Sequence, residues 1–108
     1  MILFKYDPRL TGPTDNRIHA RGEASVNGQN VGYFAALIPF TEDVDEAAIA
    51  ALIVKDSQDW KHRLAARYGG SVTISNVQYR AASGPALAEW HPFRPGSITE
   101  WHPIEITL

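Results

Sequence analysis

Two copies of one tetrapeptide carry the side chains best suited to chemistry. Glu89-Trp90-His91-Pro92 and Glu100-Trp101-His102-Pro103 stand eleven residues apart. Each Glu-x-His pair could offer a metal one carboxylate and one imidazole, so the two copies together could supply two of each. In an extended segment Glu89 and His91 share a face, but each proline restricts the backbone and no other residue fixes how the copies approach. The spacing therefore favours the plainer reading, with Trp rings packed on a sheet and Glu and His in solvent. No metal ligand and no cofactor are assigned.

The same stretch can also be a contact surface. Trp and Arg are enriched where interfaces concentrate their binding energy, and a proline-rich loop loses little entropy on docking. Trp90, His91, Phe93, Arg94, Trp101 and His102 would then form an aromatic patch with one cation inside it, facing another protein. Against this, Trp101 leads into the last apolar alternation, which favours it as a core anchor.

A third group lies early in the chain. Arg17, His19 and Arg21 alternate, so a strand would put all three on one face. Forked guanidinium donors suit a phosphate or carboxylate. Such a row is more often a solvated sheet face, and Glu23 on the same side would partly neutralise it. Acid–base pairing of His19 with Glu23, or of His91 with Glu100, is chemically feasible, but the spacing does not select either. Ser71, Ser75, Ser83 and Ser97 lie in no Gly-x-Ser-x-Gly context. Gly69-Gly70 is not followed by Gly-Lys, so it is no phosphate loop.

Composition narrows the classes further. The 108 residues give room for one domain, 1–108, and 44% hydrophobic against 20% charged residues is an ordinary globular balance. A net charge of −2 without clustered Lys and Arg is no footprint for nucleic acid. Having no cysteine excludes a disulfide scaffold, a zinc–thiolate site and a thiol nucleophile. The longest apolar run, Ala47 to Val54, is far short of the ~20 residues of a membrane span, and a cytoplasmic location is the expectation.

The elements that must hold these groups are partly readable. Ile2 to Tyr6 reads as a short strand and residues 9–16 as a loop. Asn27-Gly28 is the preferred pair of a type I′ hairpin turn. A simple two-residue turn would set Val26 opposite Gln29, Ala24 opposite Val31, Gly22 opposite Tyr33, Ala20 opposite Ala35 and Ile18 opposite Leu37. Asp43 with Glu46 fits an acidic capping box. The apolar positions Ile49, Leu52, Ile53, Trp60, Leu64 and Tyr68 then follow at helical spacing, and Gly69-Gly70 stops the helix. One helix over 43–68 would extend ~39 Å, long for a domain with a radius of gyration near ~13 Å. A kink or break is therefore expected at Asp56-Ser57-Gln58-Asp59. Acids at the start of this segment and bases at its end match the helix dipole. Val72 and Ile74 lie on one parity and Val77 and Tyr79 on the other, which calls for a bulge near Ser75-Asn76. Residues 98–108 read as a last strand.

The expected fold is thus α+β, an antiparallel sheet of about five strands in the order β-β-β-α-β-β, packed on one long or kinked helical segment. The expected function is a non-enzymatic protein-binding module that uses the aromatic, proline-rich loop, on the scale of small adaptors, inhibitors, immunity proteins and virion or mobile-element components. Its partner would be another protein, with no nucleic acid and no membrane. Two alternatives stand beside it. One is a binder of small anionic ligands, or a minor enzyme, on the Arg17/His19/Arg21 face, aided by His91 or His102. The other is a self-assembling homo-oligomer that pairs terminal edge strands.

Overall fold

Asn27 and Gly28 both take positive φ, 51° and 82°, and turn the chain between β1 (Arg17–Val26) and β2 (Gln29–Pro39). The computed structural model describes residues 2–82 and 100–106. The hairpin starts in the expected register, Val26 opposite Gln29 and Ser25 opposite Asn30, and then slips, with Ala24 opposite Gly32. Val31 is the extra residue of a bulge, and Gly32 takes φ 146°, a conformation that suits glycine. From there to the strand end every β2 residue faces the side opposite to the one predicted. Phe34, not Tyr33, lies against Gly22, and Ile38, not Leu37, against Ile18. A period of two makes any one-residue slip invert the whole strand. Here the inversion buries Phe34 and Ile38 and leaves Tyr33 75% and Leu37 48% exposed.

The third strand, β3 (Val72–Ala81), pairs antiparallel with the other edge of β1. Its register shifts where Arg21 faces Gln78 and Glu23 faces Ser75, so Asn76 and Val77 stand against Gly22. This is the bulge that the change of parity predicts, and Asn76 has φ 53°. A two-residue strand, β4 (His102–Pro103), adds to β3, giving the order β2-β1-β3-β4. The last strand is much shorter than expected, only His102–Pro103 among the described residues. Ile104 adds one further bond, from its N–H to the Val77 carbonyl at 3.0 Å.

Among the described residues the sheet has four strands rather than five. Ile2 to Tyr6 does not join it, and Phe4 makes only an isolated bridge to Val44, in the connection after β2. Leu3 and Phe4 serve instead as a plug. Both are buried, and the Phe4 ring lies 6.0 Å from Phe40 and 6.1 Å from Tyr79.

The helix α1 (Glu46–Tyr68) is unbroken over 23 residues. Its N-cap is Asp45, whose carboxylate accepts from the Ala48 N–H at 2.8 Å, so the capping box on Asp43 is replaced by a cap two residues later. Asp43 accepts instead from the Tyr6 N–H. Gly69 ends the helix in the left-handed region, its N–H bonded to the Ala65 carbonyl. The expected break is absent because the domain is elongated, 44 Å in its longest dimension. Strands of ten and eleven residues extend ~33 Å and run alongside a helix of ~35 Å. Ile49, Ile53 and Ser57 are the buried row, and Asp56 stands beside it rather than in it. The Ser57 hydroxyl, fully buried, donates to the Val54 carbonyl at 2.8 Å and so carries little desolvation penalty. Trp60 meets the Phe34 ring edge-on at 5.4 Å. The core therefore lies between α1 and one face of the sheet, and the other face is open among the described residues.

Candidate functional site

The alternation of β1 sends Ile18, Ala20, Ala24 and Val26 into the core and His19, Arg21 and Glu23 to the open face. On β3 the burial of Val77, Tyr79 and Ala81 sends Gln78 and Arg80 the same way. Strand pairing then sets His19 opposite Arg80 and Arg21 opposite Gln78. Trp101, entering from the residues before β4, lies on this group. The Arg21 guanidinium carbon is 3.9 Å from the indole centroid, that of Arg80 is 4.4 Å from it, and the His19 ring meets it at 4.7 Å and 60°. Both guanidiniums are well inside cation–π range, each contact contributing about 0.5–1 kcal/mol at an exposed site and more when water is excluded.

Hydrogen bonds fix the arrangement. Arg21 Nε donates to Gln78 Oε1 at 2.8 Å, and Arg80 Nε donates to His19 Nδ1 at 3.3 Å. These bonds engage the Nε positions, and the terminal nitrogens of both guanidiniums have no partner among the described residues. Glu23 accepts from Asn76 Nδ2 and forms no ion pair with Arg21. The neutralisation expected from Glu23 is therefore not made by direct contact. Beside Arg21, an open depression of about 480 Å³ is lined by His19, Glu23, Tyr33, Asn76 and Gln78.

His19 is not the third cation that its alternation with two arginines suggests. Burial, and then the charges of Arg80 and Arg21, lower its pKa below the ordinary value. As an acceptor from Arg80 it is neutral at neutral pH. Because the folded state resists this proton and the unfolded chain does not, the unfolded state binds more protons as pH falls. The stability contributed by neutral His19 is complete above the unfolded value of about 6.5 and is lost as pH drops through it toward the folded pKa. Urea midpoints measured across this window should fall more steeply for wild type than for His19→Gln. Equal slopes would show that His19 titrates freely.

Arg17, the third member of the predicted row, is elsewhere. Its Nη1 donates to the carbonyls of Pro13 at 2.7 Å and Gly12 at 3.2 Å, pinning the loop before β1. The predicted trio thus divides into a structural arginine and a pair that joins the cluster. Asn16 secures the same loop, its side chain bonded to the Asp7 N–H and to the Asp7 and Leu10 carbonyls.

Of the predicted aromatic surface, Trp90, His91, Phe93 and Arg94 lie outside the described residues, as does the first copy of the repeat. The second copy divides its rings between the two faces of the sheet. Trp101, expected as a core anchor, is on the open face and half-buried. His102 stacks on buried Tyr79 at 5.8 Å, and its Nε2 is buried without a partner among the described residues. Among those residues no three His, Asp or Glu side chains are grouped to hold a metal. Sequence reasoning missed Arg80 and Gln78. Their parity with Val77 and Tyr79 marks them as outward-facing, but only the pairing of β3 with β1 brings them to His19 and Arg21.

No described helix is long and apolar enough to cross a membrane. No family model matches the chain, and no curated protein or solved structure matches it significantly.

Proposed function

We propose that this chain is a protein-binding module, of the adaptor or inhibitor kind, and that Trp101 with Arg21 and Arg80 anchors an acidic segment of its partner. One observation carries the reading. Two guanidiniums rest on one indole on the open face of the sheet, and neither pairs with a carboxylate among the described residues. Their terminal nitrogens suit a carboxylate fork, and a partner that covers the indole would strengthen both cation–π contacts by excluding water. Tyr33, which lines the depression, adds an exposed aromatic of the kind enriched at hot spots.

The test is capture from host lysate by tagged wild type, Trp101→Ala and Arg21→Gln/Arg80→Gln, with bound protein quantified by mass spectrometry. Each variant should weaken capture of one partner by about 30-fold, the equivalent of ~2 kcal/mol at a hot spot. Capture by wild type should also decline as salt is raised. Undiminished capture by both variants, with thermal unfolding unchanged, would overturn the reading. The depression also admits a free carboxylate or phosphate. Stabilisation of wild type by such small anions, without any captured protein, would favour that alternative.

A further inference from the structure

The outer edge of β2 is the longest unpaired strand edge among the described residues. Natural edges are blunted by charges, prolines or bulges. Gln29–Pro39 contains no Asp, Glu, Lys, Arg or His. Its bulge at Val31-Gly32 and its proline at 39 lie at the two ends, leaving Tyr33 to Ile38 as a regular stretch. Tyr33 and Leu37, two of the four large apolar side chains exposed among the described residues, both stand on this stretch and on the open face.

We infer that β2 pairs antiparallel with β2 of a second copy of this chain, about a two-fold axis at Ala35, to form one continuous eight-stranded sheet. The residue pattern is self-complementary about that position. With the axis at Ala35, Tyr33 lies opposite the partner's Leu37 on the open face, and the reciprocal pair forms on the other side of the axis. Ala35 meets the partner's Ala35 between them, and Phe34 meets the partner's Ala36 on the helix side. Aromatic–aliphatic cross-strand pairs of this kind are favourable. An axis at Ala36 would instead face Tyr33 with the partner's Pro39, which cannot donate to the ladder. Opposite residues in an antiparallel pair share a face, so an axis between the two alanines would put open-face residues against helix-side residues. Charge does not oppose the contact. The two copies of Arg21, on the strands next to β2, would be three strand spacings or ~14 Å apart, beyond the screening length at physiological salt. A single uncharged strand offers a foreign charged segment no complementary partner, whereas a second copy meets it with the same uncharged row.

The test is sedimentation equilibrium of the full chain from about 5 to about 500 µM, a range that brackets dissociation constants of tens to hundreds of micromolar. Wild type should rise from the chain mass of 11.9 kDa toward twice that value. Ala35→Lys and Ala35→Glu each set like charges opposite one another at the axis and should remain monomeric, with association weakened at least ~10-fold. An equimolar mixture of the two variants should recover the doubled mass. Ala35 is exposed and lies across the strand from Arg21, so at low concentration Ala35→Lys should unfold slightly below wild type and Ala35→Glu slightly above it. A strictly monomeric wild type would overturn the inference. So would a variant that dimerises as well as wild type, and failure of the mixture to associate would overturn the axis at Ala35. None of these outcomes depends on Trp101, so this inference and the binding reading can fail separately.

Discussion

Phe34→Ala should lower the unfolding free energy by about 3–5 kcal/mol, while Tyr33→Ala, one residue away, should change it by less than about 1 kcal/mol. The ring of Phe34 is wholly buried, lies across the strand from Gly22 and meets Trp60 edge-on. Its removal takes away both the transfer free energy and the contacts of a cavity that the neighbouring strand cannot close. Gly22 has no side chain to move into the space. Against a total stability of about 5–15 kcal/mol for a domain of this size, the loss is a large part of the whole. Tyr33 is 75% exposed and gives up little to solvent on truncation. Urea unfolding of both variants at low micromolar concentration, where association through β2 does not contribute, measures the difference. A larger loss for Tyr33→Ala would mean that the hairpin has the simple register, without the bulge at Val31.

That pair of residues also marks the limit of what the sequence discloses. The turn at Asn27-Gly28 is written locally, in two residues that tolerate positive φ, and so is the helix end at Gly69. The bulge in β3 is legible because Ile74 and Val77 lie on different parities and both must be buried. The bulge in β2 has a fainter signal. Val31, Tyr33, Ala35 and Leu37 form an apolar row as acceptable as Phe34, Ala36 and Ile38, and only Gly32 hints that the strand departs from plain alternation. The unbroken helix was hidden for a different reason. Its length looks excessive until the strands beside it are known to be of equal length, and that is a property of the packed domain.

The cluster around Trp101 was divided among three separate sequence signals. Arg21 and His19 belong to one alternation, Arg80 to another, and Trp101 to the repeated tetrapeptide. Pairing of β1 with β3, and then of β3 with β4, brings them within contact of one indole. No single segment carries that pattern. Arg17 illustrates the converse, a residue with the right type and parity whose guanidinium is used by the loop beside it.

The second large effect is expected at Gly22. Gly22→Val should cost about 3 kcal/mol, the upper part of the range for overpacking. A β-carbon at this position would lie 2.8 Å from Ile74 Cγ2, 3.2 Å from the Ser75 carbonyl oxygen and 3.4 Å from Val77 Cγ2. The backbone at Gly22 is not in the left-handed region, so the requirement for glycine here is one of space rather than of φ. The space is short because the β3 bulge sets two residues, Asn76 and Val77, against one on β1. Ile74 is β-branched and cannot swing its Cγ2 away without leaving its preferred rotamer. The double variant Gly22→Val/Ile74→Ala provides the decisive comparison, since it adds three carbons where it removes three. Ile74→Ala alone should cost about 2–5 kcal/mol as a cavity. If the two sites compete for one volume, the double variant should cost less than the sum of the single variants by about 0.5–3 kcal/mol, the range for residues in direct contact. Strict additivity in urea unfolding would show that Gly22→Val is resisted by the Ser75 backbone and not by Ile74. A neutral Gly22→Val would mean that β3 does not bulge against β1 at this point, and the parity that places Arg80 beside Trp101 would fail with it.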